Sequence, residues 1–481
     1  MRTQAVNPYL PNFEYIPFGR PHVFGGRVYL YGAHDRFNGK AAAKNDYVCW
    51  SADANDLSDW RYEGVIFRRT AAEKGRPFKK SGLTPPDVAR GADGKYYFYF
   101  ALGETSRIGV AVCDTPAGEY SFYGYVRYAD GTILGAKGEG FVADPCLLED
   151  EGQFYLYEGR GVKAGAKKRE PRGNGLYAFR LQADMLTVEG EGEKVLSVPD
   201  EQGSASAEHG FYRSPDVRKF NGKYYLTYTS ASGSEICHAV SARPTTGFEY
   251  AGVLLDTGNV GIDGNVRPTN YTGDTAGALV RIRYRYYLFY HRQSNRSRCS
   301  RQACAEEVRL KNRIFSQAET TSCGLNGRAL RGIGEYSAST ACVLYSRRGA
   351  RVYPENRKMI KGAHPYFTQT GKDRNHTPDQ HIANFNHGSV AGFRYFEFDG
   401  ANQIIVTIKG NPHGRLIVSE TPTGMPVARI RLTPCKEFTD FYAPLHIGNG
   451  KKALYFTYEG LGSFRFRAFL LQQVTRGRKQ E

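Results

Sequence analysis

Short apolar and aromatic runs, each closed by a Gly, Asn, Asp or Pro turn, alternate along most of the chain, and this period predicts strands with helices at most peripheral. One phrase recurs five times: PHVFGGRVYLYGAHD at 21–35, PDVARGADGKYYFYFAL at 86–102, DPCLLEDEGQFYLYEG at 144–159, PDVRKFNGKYYLTYTS at 215–230 and GALVRIRYRYYLFYHR at 277–292. Each copy opens on a short apolar strand, passes a polar or glycine-rich turn and enters an aromatic run, which is a β-hairpin written as sequence. The aromatic markers Tyr29, Tyr97, Tyr155, Tyr225 and Tyr287 are spaced by 68, 58, 70 and 62 residues. A unit of that length holds four strands, and further strand-like pieces such as Ile108–Val112 and Glu235–Val240 follow the hairpins. Radial closure of such units removes long exposed sheet edges, so the expected fold is an all-β, five-bladed β-propeller; two consecutive β-sandwiches are the rival arrangement.

The punctuation shifts after about residue 330. Residues 1–330 are expected to form the propeller, 331–360 a connector, and 361–481 a β-sandwich, since Gly392–Phe398, Gln403–Ile408, Arg415–Val418 and Lys452–Tyr458 alternate apolar and polar positions between turns.

Composition agrees with a β-rich globular chain: aromatics reach 13%, with 34 Tyr and 28 Phe. Lys plus Arg number 65 against 48 Asp plus Glu, a balance of +17 that favours anionic partners without naming one. The basic stretch Lys163–Arg172 reads as an exposed loop and Arg281, Arg283 and Arg285 as an outward strand face, so nucleic acid is not expected as a partner. The nine cysteines show no metal-site spacing and read mainly as buried thiols of a reducing compartment, and neither a metal nor a cofactor is expected. No 18-residue apolar run occurs and the start carries no leader-like stretch, so the expectation is a cytoplasmic protein away from membranes, unless a leader has been removed.

Longer phrases carry a resemblance. Asn7–Pro11, Glu14–Pro17, Asn45–Ser51, Asp56–Trp60, His291–Gln293 and Ser300–Ala305, in that order, resemble glycoside hydrolase family 43, particularly its bacterial β-xylosidase and α-L-arabinofuranosidase members. The distal part resembles the carbohydrate-binding sandwich often appended to them. The resemblance implies an inverting glycosidase, in which a carboxylate base activates water, an Asp tunes and orients, and a Glu acid protonates the leaving oxygen. Base and acid carboxyls roughly 6.5–9.5 Å apart leave room for that water.

Asp87, in Pro86–Val88, matches the family's tuning Asp; capping a turn is its structural alternative. The other two positions depart. Where the family has Pro-Asp-Gly-Glu-Pro this chain has Pro17-Phe18-Gly19-Arg20-Pro21, and the Glu after two aromatics is Arg213. Arginine stays protonated and can neither take a proton from water nor usefully donate one. Ala276 stands where relatives carry a channel-facing His. Glu14, Asp144 and above all Glu208 are the candidate substitute carboxylates, with His209 and Asp216 nearby; Asp216 repeats the position of Asp87 in Pro215–Val217.

Arg20 and Arg213 together could clamp a carboxylate, sulfate or phosphate on a glycan, or could pair internally with Asp87 or Asp144. Tyr15, Phe18, Trp50 and Phe211 are the expected sugar-packing aromatics, with His22, Asp216, His291 and Arg292 as further binding residues, and Trp60 as filling in the first blade. The expected activity is hydrolysis of plant-type oligosaccharides, such as an α-L-arabinofuranoside, a β-xyloside or an acidic-sugar variant. The alternative is a noncatalytic glycan-binding or regulatory protein on the same scaffold.

Overall fold

A computed structural model of the 481-residue chain describes residues 3–71, 82–101, 106–136, 141–161, 175–197, 209–273, 275–350, 364–374 and 379–474. Among these residues there is no α-helix, and no helix long and apolar enough to cross a membrane. Five antiparallel sheets follow one another. The first blade is Arg20–Phe24, Arg27–Gly32, Tyr47–Asp53 and Asp56–Phe67; the second is Asp87–Arg90, Tyr96–Ala101, Ile108–Cys113 and Ser121–Tyr125. The third, Phe141–Asp150, Gln153–Gly161, Gly175–Leu181 and Thr187–Ser197, gains Arg127–Tyr128 as a parallel fifth strand. Phe211–Phe220, Lys223–Ser230, Glu235–Ser241 and Glu249–Asp256 make the fourth, and Gly277–Ile282, Arg285–Ser294 and Ser297–Val308 the fifth.

The repeat marked by aromatics is a register. Tyr29, Tyr97, Tyr155, Tyr225 and Tyr287 all lie on the second strand of their blade, opposite His22, Ala89, Leu148, Arg218 and Val280 of the inner strand. The blades are glued by five apolar clusters, each shared by two neighbours: Tyr31 with Phe98, Tyr99 with Leu156, Tyr157 with Leu226, Leu254 with Leu288, and Phe289 with Leu30. The last of these joins fifth blade to first, so the chain is a closed five-bladed β-propeller.

The blades are not uniformly four-stranded. In the fifth, the amino-terminal segment runs beside Ser297–Val308: Tyr9 N donates to Ala303 O at 3.3 Å, and the Asn7 side chain both donates to Ala305 O and accepts from Ala305 N, each at 3.0 Å. The Tyr9 ring packs on Trp60 and Phe289, so Trp60 fills the join between first and last blades.

Beyond the propeller two sheets form a β-sandwich, one ordered Leu330–Arg331, Val390–Phe398, Gly450–Leu461, His413–Ser419 and Pro426–Leu432, the other Tyr366–Gln369, Gln380–Asn386, Ser463–Gln472, Gln403–Gly410 and Cys435–Pro444. Phe393, Phe456, Phe466 and Phe469 are buried between them. The expected connector is corrected in part: Gly334–Ser337 pairs with Ser463–Gln472 and Val343–Tyr345 with Val390–Phe398, so these short pieces belong to the sandwich. Their few apolar positions are satisfied by an existing sheet edge, which a short run cannot reveal by periodicity. Residues 351–360 lie outside the described residues.

Candidate active site

The inner strands set two levels around the axis. The deeper level lies two residues before each inner-strand partner of the aromatic markers and holds Arg20, Asp87, Cys146, Asp216 and Ala278. Three of these are blade-to-blade staples. Asp87 Oδ2 accepts from Leu147 N at 2.7 Å, Cys146 Sγ from Val217 N at 3.1 Å, and Asp216 Oδ2 from Leu279 N at 2.9 Å. Their charges are answered locally: His22 Nε2 lies 2.6 Å from Asp87 Oδ1, while Arg20 and Arg218 lie 3.1 and 2.8 Å from Asp216 Oδ1. Burial alone would raise the Asp87 carboxyl, but His22 and Arg218 outweigh it and hold the group well below the usual carboxylate range.

Several expectations are corrected by this level. Asp87 and Asp216 are fully buried structural carboxylates, and the Pro-Asp-Val repeat is a staple motif. Arg20, 2% exposed, pairs with Asp216 and donates to Pro215 O at 2.6 Å, so it cannot form half of a clamp for an anionic ligand. Its charge is consumed by the protein's own carboxylate. His22 serves Asp87 and stacks on Phe24, in a cleft shared with Val88, Leu147, Arg218 and Phe220. Ala278 offers no ligand atom at this level, and the carboxylates of Asp87 and Asp216 are engaged by imidazole or cationic partners.

The outer level is different. Phe18, Asp144 and Ser214 are non-glycine residues with φ of 57°, 55° and 56°, a left-handed conformation that costs roughly 1–3 kcal/mol each where side chains oppose it. In the third and fourth blades the inner strand is bulged here, between Ala143 and Cys146 and between Arg213 and Asp216. A bulge re-aims side chains. Asp144 Oδ2 accepts from Ser214 N at 3.1 Å, and Arg213 is the cation that pulls on it most strongly, ahead of Arg20. Burial pushes the Asp144 carboxyl up, and Arg213 only partly offsets this. The Arg213 guanidinium stands 5.2 Å from the Phe18 ring centroid and Arg301 4.4 Å from it. The Phe18 backbone N–H donates to His291 Nδ1 at 3.4 Å, with the two rings edge to face. Phe18, Asp144, Arg213 and His291 therefore form one cluster beside the bulges of the inner strands.

Other expected residues lie elsewhere. Trp50 is buried and donates from its indole to Glu14 Oε2 at 3.2 Å; Phe211 is buried against Tyr228 in the join of third and fourth blades. These are core positions because their strands face a neighbouring blade. Arg292 donates to Gln302, Ser339 and Ala341 and lies over Phe367, tying propeller to sandwich. Glu14 is buried among Trp50, His34 and Arg374, and burial lifts its carboxyl to about 7 against the pull of Arg374 and the indole. Tyr15 stacks on Phe37 and donates to Gln369 of the sandwich at 2.6 Å. Glu208 and the basic stretch Lys163–Arg172 lie outside the described residues.

The residue that sequence reasoning missed is Arg301. It is fully buried, held by Asp35 through Nε at 2.9 Å and Nη2 at 3.0 Å, and presents its flat face to Phe18. Its signal was present in the Ser300–Ala305 phrase, which carried the resemblance without a role for the arginine.

The fold is a five-bladed propeller with an appended sandwich, and its class is that of carbohydrate-active propellers. The chain belongs to the glycosyl hydrolases of family 43, whose profile matches residues 22–313. It is 42% identical to a xylosidase/arabinosidase of Thermoclostridium stercorarium, over 98% of this chain and 99% of that protein. A xylosidase/arabinosidase of Bacteroides ovatus is 29% identical over 59% of this chain and 87% of its own length. Among solved structures, an arabinoxylan arabinofuranohydrolase of family 43 from Bacillus subtilis, in complex with cellotetraose, covers 98% of this chain and 99% of its own at a TM-score of 0.52 and 18% identity, a likeness of fold.

Proposed function

We propose that the protein is an O-glycosyl hydrolase of xylose- and arabinose-bearing plant oligosaccharides that works with an altered set of catalytic groups beside the bulges of its inner strands. The observation that carries the reading is Asp144 bonded to Ser214 N, under the pull of the neighbouring Arg213 that also faces Phe18, with Phe18, Asp144 and Ser214 held in left-handed backbone conformations. Full-length similarity to a xylosidase/arabinosidase supports the sugar class. In this scheme a water gives its proton to Asp144 as its oxygen attacks the anomeric carbon. The glycosidic bond breaks toward the leaving oxygen, whose developing charge Arg213 stabilises and which bulk water protonates. Phe18 packs against the apolar face of the sugar. Without a proton donor at position 213, turnover depends on the leaving group, so aryl glycosides of acidic phenols are expected to react far faster than oligosaccharides.

A second reading, a noncatalytic glycan binder, is favoured by one observation: Phe18 between two guanidinium groups occupies the place where the family keeps a carboxylate. The test is hydrolysis of nitrophenyl β-xyloside and nitrophenyl α-L-arabinofuranoside, with product anomers followed by proton NMR. Product formation that falls at least about a hundredfold in Asp144→Asn supports the hydrolase. Xylo-oligosaccharide binding by calorimetry with no product from either substrate supports the binder.

A further inference from the structure

Away from the axis, the fourth blade gathers three side chains that the scheme above does not use. Glu235 and Cys237 stand two apart on Glu235–Ser241 and so share one face of that strand. His209 approaches from the turn before Phe211–Phe220, its backbone pinned by the Tyr228 hydroxyl, which donates to His209 O at 2.9 Å. His209 Nδ1 lies 2.9 Å from Glu235 Oε2, and Cys237 Sγ lies 4.0 Å from the same oxygen. One nitrogen, one sulfur and one carboxylate oxygen thus fall within 4.8 Å of one another.

We propose that His209, Glu235 and Cys237 form a binding site for a zinc-class divalent cation. Metal–ligand distances of roughly 2.0–2.3 Å place tetrahedral neighbours about 3.3–3.6 Å apart, so the 2.9 Å and 4.0 Å separations from Glu235 lie within about half an ångström of what a shared ion requires, and His209 and Cys237, within 4.8 Å of each other, close onto it by side-chain rotation. The donor set decides the class. A thiolate and an imidazole select a borderline-soft ion over magnesium or calcium, which take oxygen ligands. Thiolate and carboxylate together neutralise a dication. The fixed surroundings suit the same role: Tyr250 stacks on the His209 ring at 5.0 Å between centroids, and Ser230 donates to Glu235 Oε2 at 2.8 Å. The His209 and Glu235 side chains are 29% and 20% exposed, which leaves an approach for the ion and room for a water as fourth ligand. On binding, the cysteine thiol loses its proton to solvent, the sulfur–metal bond forms, and the His209–Glu235 contact is replaced by two metal–ligand bonds. The ion would also fix the start of the strand that carries Arg213, four residues beyond His209.

The experiment uses the full chain, stripped with chelator and titrated with cobalt(II), followed by zinc in competition with a chromophoric chelator. The expected result is about one equivalent of cobalt with a thiolate-to-metal charge-transfer absorption, displaced by zinc. Cys237→Ser and His209→Ala should lose that absorption, and Glu235→Gln should weaken zinc by at least about tenfold. Cys113→Ser, on the second blade, should leave it intact. Because Cys237 is buried and its variant can fail to fold, the partly exposed His209→Ala is the deciding protein. Absence of the charge-transfer band in the wild type, or an unchanged band in folded His209→Ala, overturns the proposal.

Discussion

The family resemblance expects a base and an acid at the positions held by Phe18 and Arg213. Phe18 holds φ at 57°, a region that Asp tolerates better than a bulky ring, so Phe18→Asp relieves the backbone while supplying a carboxylate. Combined with Arg213→Glu, which returns a protonatable group to the leaving-group side, it is expected to raise the rate on nitrophenyl xyloside or arabinofuranoside by at least about tenfold. Initial rates of the double variant against wild type check this. Arg20 is another matter, although it belongs to the same short motif. Arg20→Glu would set a new carboxylate against buried Asp216 and is expected to cost about 3–5 kcal/mol, measured by denaturant unfolding. A restoration of the site should therefore leave position 20 alone.

The inner strands show which part of this was legible beforehand. Staple positions repeat with the aromatic period, and Asp87→Asn should destabilise the propeller by about 3–5 kcal/mol, because His22 and Arg218 lose the charge that faces them. Cys146→Ala, which removes a weaker neutral acceptor from Val217 N, should cost about 1–3 kcal/mol in the same assay. The five hairpins and their order could be read because each aromatic run must fill a join between blades, and that demand recurs at every copy. The bulges could not. One extra residue between Ala143 and Cys146 turns Asp144 towards Ser214 and hands the staple to Cys146, with no fixed sequence mark to announce it. The Pro-Asp-Val phrase therefore reads as a site carboxylate at Asp87, whereas the structure shows that side chain as a buried staple and Asp144 beside Ser214 and Arg213. Trp50 and Phe211 differ from expectation for a related reason: an aromatic on a third strand, as Trp50 is, or on an inner strand, as Phe211 is, faces a neighbouring blade as readily as the axis.

At the scale of the molecule, the distal part of the chain bonds directly to the first and fifth blades and to the segment before them. Arg374 donates to Glu14 Oε1 at 3.3 Å, Asp373 accepts from Phe37 N at 2.6 Å, and Phe367 O accepts from Asn295 N at 2.7 Å. Glu14, lifted from 4.5 to about 7, keeps a proton in the folded protein that the unfolded chain has released. Its contribution to stability is present below about pH 4.5 and declines as pH rises to about 7, by on the order of 3 kcal/mol at most. Glu14→Gln should flatten that decline, seen in unfolding midpoints measured from pH 4.5 to 8.

The clasp of Asn7 and Tyr9 on the fifth blade has a consequence in time. Asn7 and Ala305 are 298 positions apart, so during synthesis the first residues of the ring wait for almost the whole propeller to emerge before their partners exist. Until then the nascent chain carries a first blade with an uncovered apolar flank, around Leu30 and Trp50, and an edge open to pairing with other chains. Closure is a late, long-range event, and the interval before it is when this protein is most exposed to aggregation.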